Sequence, residues 1–345
     1  MTADRLIADE LLALTRGIGD VHDAIAGRVF GALGRPAAPV RAVHDTIARG
    51  TYAAVGGGLW LGARAVAPRE LPLGALAALN GLYGDRLEAE GSPLAIPMQL
   101  IGEARGGHVA VFVHGLGESE RSWGYGERLR ELGITPVHVR YNSGRHVSQN
   151  GAALAALLDT LDADRISLIG HSMGGLVARS ACHHGGDWTA KVAHTVSLGT
   201  PHAGAPLEQA VHVLAGALAV APETRPFARL LRRRSAGIRD LRRGSLVDED
   251  WHGRDPDALR AKALREIPLL PGATHCFVAA TVTRSPSHPA GRLLGDALVL
   301  LPSASGRKAG YVEGIELGGV HHLALLKHPA VYEQLQAWLA STSCP

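Results

Sequence analysis

One stretch of the chain gathers residues suited to nucleophilic chemistry: Arg165-Ile166-Ser167-Leu168-Ile169-Gly170-His171-Ser172-Met173-Gly174-Gly175. A serine hydroxyl is a weak nucleophile until a neighbouring base takes its proton. Here an apolar, β-rich run leads straight into a G-x-S-x-G pattern, and a helix-forming run follows. That order places Ser172 on a sharp strand-to-helix turn with its hydroxyl exposed. Gly170 and Gly174 leave room for backbone where a Cβ would clash. The N-terminus of the next helix then lies beneath the serine, where its N–H groups and dipole favour developing negative charge.

Acyl transfer needs two N–H donors aimed at the oxyanion, and the sequence offers both. The residue after the nucleophile, Met173, supplies one. The second comes from the loop that follows an earlier strand, and Val111-Phe112-Val113-His114-Gly115-Leu116-Gly117 has that form. Leu116 is the expected backbone donor, and His114 is expected to shape the loop rather than act as the base.

These groups need a scaffold. From residue 108 the chain alternates strand and helix patterns. His108–Val113, Ile134–Tyr141, Arg165–Ile169, Val192–Leu198 and His275–Val282 read as strands, with Tyr311–Leu317 as a weaker last one. Gly151–Leu161 and Met173–His183 read as helices. The last helix, about Pro329–Leu339, spaces Val331, Leu335 and Leu339 four apart. This rhythm predicts an α/β fold with a doubly wound, mostly parallel sheet, occupying residues 101–345. Residues 205–272 interrupt it without a strand pattern, so they are expected to form a helical cap whose apolar residues, such as Leu214 and Leu218, meet the substrate. Its stretch from Arg225 to Arg243 holds eight arginines, which suit a solvated helix face or an anionic surface.

Residues 1–100 read differently, as a helical segment. Val21, Ile25, Val29 and Leu33 recur on one helical face. Val21-His22-Asp23-Ala24-Ile25-Ala26 is echoed 22 residues later by Val43-His44-Asp45-Thr46-Ile47-Ala48. Two copies are too few for a solenoid. They fit an amphipathic helical pair that either covers the main domain or mediates lipid-surface contact or self-association through residues 1–90.

On these motifs the chain resembles the α/β-hydrolase superfamily, and within it the lipase/esterase branch of small bacterial lipases and inositol-deacylase-like hydrolases. The resembling stretches are HGLG at 114–117, GHSMGG at 170–175, LGTPHAG at 198–204, GDALVLLPSA at 295–304 and GVHHLALLKHP at 319–329. The superfamily order is serine, then acid, then histidine. The resemblance therefore implies Asp296 as the acid, with Asp248, Asp250 and Glu313 as weaker competitors. It implies His322 as the base, because His322-Leu323-Ala324-Leu325 fits the lipase frame better than His321 does. His328 is read as a helix-start residue and His202 as part of the pocket wall.

Composition narrows the function classes. A net charge of +3 and 4% aromatic residues give no footprint for nucleic acid. Cys182, Cys276 and Cys344 form neither a disulfide framework nor a C-x-x-C pair. No H-E-x-x-H or P-loop pattern occurs, and neither a metal nor an organic cofactor is expected. The first ten residues lack the basic start and apolar run of a signal peptide, so the expectation is a cytoplasmic location, either free or peripheral to a lipid surface. The leading expectation is a serine esterase acting on an ester or lipid-like small molecule. An acyltransferase or thioesterase using the same residues, and a lipid-surface scaffold with a vestigial hydrolase domain, stay open beside it.

Overall fold

In the computed structural model, residues 38–66, 71–205, 234–255 and 263–340 are described, with scattered positions before residue 37. Val21, Ile25, Val29 and Leu33, the cap residues Leu214 and Leu218, and Cys344 lie outside them.

The strands are β1 (Gln99–Ile101), β2 (Arg105–Val113), β3 (Ile134–Arg140), β4 (Asp162–His171), β5 (Val192–Leu198), β6 (Thr274–Thr281) and β7 (Glu313–Gly318). They form one sheet in the order β1-β3-β2-β4-β5-β6-β7. All neighbouring pairs run parallel except β1 on β3. β1 has no counterpart among the sequence expectations, being a three-residue edge strand too short to carry an alternation pattern. The inner halves of β2 and β4 are buried on both faces, which explains their unbroken apolar runs.

Helices cover both faces. α4 (Val147–Leu158) and α5 (Met173–His184) lie on one face, where Leu154, Leu158, Leu176 and Val177 pack on Val109, Val111 and Leu168. They approach so closely that a Cβ on Gly151 would stand 2.2 Å from Ser180 Oγ. Opposite them, α3 (Gly126–Arg130) and α9 (Pro329–Ala340) bring Leu129, Val331, Leu335 and Trp338 onto Phe112, Ile169 and Val196. β2 lies between β3 and β4, so the order in which successive strands join the sheet reverses there. The C-terminal ends on either side of such a switch point are where doubly wound sheets hold their ligands. The strand order and the layering of helices are those of the α/β-hydrolase fold.

The N-terminal part divides into two. α1 (Ala38–Val66) packs on described positions before it: Trp60 Nε1 donates to Asp9 Oδ1 at 2.9 Å, and a Cβ on Gly56 would meet Leu12 Cδ1 at 2.9 Å. The two repeat copies meet through His22 and His44, whose ring centroids are 5.0 Å apart. α2 (Leu73–Ala89) instead packs against the hydrolase sheet's loops. Asn142 Nδ2 donates to Gly84 O at 2.8 Å, Ser235 Oγ to Gly81 O at 2.6 Å, and Arg145 pairs with Glu88 at 2.9 Å.

From the interrupting segment, α6 (Ala236–Leu241) is described. Its Asp240 accepts from Val147 N at 2.8 Å and pairs with His146, so this part is tied to the start of α4. Two short helices, α7 (Pro289–Leu294) and α8 (Leu301–Ala304), join β6 to β7.

Candidate active site

β4 ends at His171, and Ser172 then takes φ 51° and ψ −123°, a left-handed backbone that costs a non-glycine residue about 1–3 kcal/mol. Two backbone bonds hold the turn: Ser172 N donates to Leu198 O at 2.8 Å, and Ser172 O accepts from Gly175 N at 3.1 Å. Both flanking glycines are sterically required. A Cβ on Gly170 would lie 2.4 Å from Gly175 N, and one on Gly174 would lie 2.0 Å from Val113 O. The strained turn is thus pinned between β2, β5 and the first turn of α5.

Register brings the second loop alongside. Val113 of β2 pairs with Gly170 of β4, so the chain leaving β2 at His114 emerges beside the serine. A Cβ on Gly115 would stand 3.0 Å from Ser172 Cβ. Gly115 N donates to Glu118 Oε2 at 2.9 Å and Gly117 N to Ser143 Oγ at 2.9 Å. The N–H between them, on Leu116, has no acceptor among the described residues, and neither does that of Met173 at the helix start. Leu116, on the loop beside Ser172, and Met173, directly after it, therefore each carry an uncommitted donor. His114 shapes this loop, as expected: its Nδ1 donates to Gly115 O at 2.8 Å, and its ring stacks on Tyr141 at 4.3 Å. Burial lowers its pKa, which keeps the ring neutral. α2 supports the loop from behind, where a Cβ on Gly81 would meet Gly117 at 2.9 Å.

Asp296 lies wholly buried between two left-handed residues, Gly295 (φ 53°) and Ala297 (φ 82°). Its Oδ1 accepts from Leu298 N at 3.0 Å and Val299 N at 2.8 Å. Its Oδ2 faces His322 Nδ1 at 2.7 Å, and His322 N donates to Asp296 O at 3.0 Å. A carboxylate that accepts there puts a proton on Nδ1 and leaves Nε2 free to accept one. His322 is buried while His321 is exposed. The pair sits over residue 199: a Cβ on Gly199 would stand 3.1 Å from both Asp296 Oδ2 and His322 Cε1. Leu198, one residue before, is the acceptor for Ser172 N. Serine and imidazole thus border the same end of β5.

The competing acids are engaged elsewhere. Asp248 accepts from Ser148 Oγ at 2.6 Å, and Asp250 accepts from the backbone of Leu246 and Arg265. Glu313 starts β7, with Cys276 Sγ at 3.8 Å. His328 Nδ1 accepts from Ala330 N at 3.3 Å at the start of α9. His202 bonds Ser197 Oγ at 3.1 Å and, with Arg179 and Ser303, lines a cavity.

One residue escaped the sequence reading: Glu118, whose carboxylate meets His171 Nδ1 at 3.0 Å. Burial works to raise its pKa, but the His171 charge and the bonds from His171 and Gly115 N outweigh it and hold the carboxyl below its ordinary value. The available signal was the histidine between Gly170 and the serine, which once buried needs partners for two ring nitrogens.

Among the described residues, no group of three or more His, Cys, Asp or Glu side chains is arranged to hold a metal, and no helix is long and apolar enough to cross a membrane.

Residues 155–253 match the family described as the PGAP1-like alpha/beta domain. No curated protein matches the chain. Among solved structures, a Bacillus licheniformis lipase in mature form is 20% identical, with 70% of this chain and 98% of that one covered and a TM-score of 0.45. A protein from a study of Nitrososphaera gargenis carboxylesterases is 15% identical, covering 71% and 94%, with a TM-score of 0.45. A Rhodococcus esterase is 18% identical, covering 72% and 95%, with a TM-score of 0.38.

Proposed function

We propose that this chain is a serine hydrolase that cleaves carboxylic esters through Ser172, His322 and Asp296. The observation that carries the reading is the coincidence at one end of β5 of a serine on a strained turn and a buried Asp–His pair with its 2.7 Å bond to Nδ1. His322 Nε2 takes the Ser172 proton as the oxygen attacks the ester carbonyl. The N–H groups of Leu116 and Met173 receive the oxyanion, and Asp296 stabilises the imidazolium. His322 then protonates the departing alcohol, leaving an acyl-enzyme. Water, deprotonated by His322, releases the acid. Thioester cleavage and transfer to an alcohol use the same steps with a different leaving group or acceptor, and product analysis with added alcohol separates them.

Residues 73–340 form the hydrolase unit in this reading, because α2 supports the oxyanion loop. Residues 1–66 serve attachment, to a lipid surface or a second copy: Val40, Val43, Ile47 and Leu61 of α1 are all exposed.

The test is Ser172→Ala, measured by ester turnover and by labelling with a serine-reactive phosphonate. Turnover should fall by roughly 10⁴-fold or more, with labelling abolished and folding retained. Persistent labelling would move the nucleophile elsewhere.

A further inference from the structure

The ring of His171 lies completely buried, with its centroid 4.7 Å from that of His322. Its Nδ1 is 3.0 Å from the Glu118 carboxylate, and its Nε2 is 3.2 Å from the backbone oxygen of His322. The backbone oxygen can only accept, and the Glu118 carboxyl, held below its ordinary value, is ionised and accepts as well. A neutral imidazole carries a single N–H, so in either tautomer one lone pair would face an oxygen lone pair inside the protein. Only the doubly protonated ring satisfies both contacts. The carboxylate supplies the charge that makes a buried imidazolium tolerable, because a buried ion is kept only when paired and hydrogen-bonded.

We propose that Glu118 and His171 form a permanent buried ion pair that positions the oxyanion loop and the base together, so that both are positioning residues for the reaction proposed above. The two ends of the pair touch different catalytic loops. Glu118 accepts from Gly115 N at 2.9 Å, which orients the neighbouring Leu116 N–H. His171 donates to His322 O, and His322 N donates in turn to Asp296 O at 3.0 Å. One rigid chain therefore runs from the oxyanion loop through the residue beside the nucleophile to the acid–base pair. Its cationic end lies next to the catalytic imidazole, with ring centroids 4.7 Å apart, so its charge acts on the base directly. The other titratable groups near this pair are the His114 ring and the Tyr141 phenol, with the Glu120–Arg140 ion pair beyond His114. Burial lowers the pKa of His114 and raises that of Tyr141, so both stay uncharged, while the Asp296 carboxylate, 2.7 Å from His322 Nδ1, acts on that imidazole alongside the pair.

Glu118→Gln, Glu118→Ala and His171→Gln test this. In Glu118→Gln the amide oxygen keeps the Gly115 N–H, and the amide nitrogen can donate to a neutral His171 whose Nε2–H still reaches His322 O. The hydrogen bonds survive and both charges vanish. In the wild type, ¹⁵N NMR of the ring nitrogens, assigned by difference from His171→Gln, should find both protonated at pH 8. In Glu118→Gln one should become pyridine-like. The acidic limb of kcat/KM should rise by about one pH unit in Glu118→Gln, and further in His171→Gln, where the carboxylate loses its cation. Glu118→Ala should lose about 10- to 100-fold in kcat with KM little changed, the size of effect that outer partners of oriented imidazoles produce, and Glu118→Gln should restore most of it. A neutral His171 in the wild type, or an acidic limb unmoved in both glutamine variants, would overturn the ion pair. Either result is independent of phosphonate labelling at Ser172, which tests the hydrolase reading itself.

Discussion

Replacing Asp296 by asparagine changes one oxygen into an amide nitrogen at a site with no room for compromise. Asp296 is wholly buried, and Oδ1 already takes two backbone N–H groups, at 3.0 Å from Leu298 and 2.8 Å from Val299. The introduced amide has two orientations. With its oxygen on those N–H groups, its NH2 faces His322 Nδ1. The ring must then accept at Nδ1 and carry its proton on Nε2, where it can no longer take one from Ser172. Turning the amide over would restore the productive tautomer but would set the NH2 against two buried donors. At about 1–3 kcal/mol for each unsatisfied donor, that orientation is disfavoured by roughly 2–6 kcal/mol. The exchange of neutral imidazole tautomers costs far less, so the unproductive state dominates. The expected loss in kcat is on the order of 10⁴-fold, as for the equivalent change in Ser-His-Asp enzymes, or about 5 kcal/mol of transition-state stabilisation. The assay is steady-state turnover of a soluble short-chain ester, with thermal unfolding as the control for structure. The amide oxygen keeps the native bonds to the backbone, so the midpoint should move little. Turnover near the wild-type rate in a folded Asp296→Asn protein would refute the assignment and hand the acid role to another carboxylate.

His322→Ala should match the loss of Ser172→Ala in ester turnover, whereas His321→Ala, at an exposed position, should leave kcat/KM nearly unchanged; the reverse result would move the base by one residue. Truncation should separate the two N-terminal parts: deleting residues 1–70 should leave a soluble protein that hydrolyses short-chain esters, while deleting 1–90 should abolish activity by stripping α2 from Gly117. Equal activity in both truncations would remove α2 from the site. Stability should fall as pH drops from about 6.5 to 4. Burial, and after it the charge of Arg165, pushes His108 and His194 down to about 4, and both rings bond Ser167 Oγ, at 2.8 and 3.2 Å. Between the two values the unfolded chain binds more protons than the native one, so the stability present above 6.5 is lost as pH falls toward 4. Allowing for solvent screening, each ring contributes about 1–2 kcal/mol. Denaturation midpoints across this range, compared with a His108→Gln/His194→Gln protein, check it; an equally steep decline in that variant would count against these two histidines.

Local sequence was enough wherever a short contiguous run determines backbone conformation. Gly170, Ser172 and Gly174 sit on a single turn, and the clash of a Cβ on Gly170 with Gly175 N follows from the turn itself, so the elbow was legible. The same holds for the apolar strands β2, β4, β5 and β6, which helices bury on both faces. The pairing of Asp296 with His322 needed more than periodicity, and chain order within a resembling fold suggested it. Tertiary structure alone decided three things. β1 joins the sheet only because β3 offers it an edge, and three residues carry no pattern of their own. α2 reads as one more helix of a helical N-terminus, yet its glycines let the chain at Gly117 and Asn142 approach where side chains would collide. Glu118 and His171 are 53 positions apart, and nothing in either neighbourhood names the other. Their meeting depends on the parallel register of β2 on β4, a long-range pairing that places Val113 beside Gly170, and with it a carboxylate beside the buried imidazole.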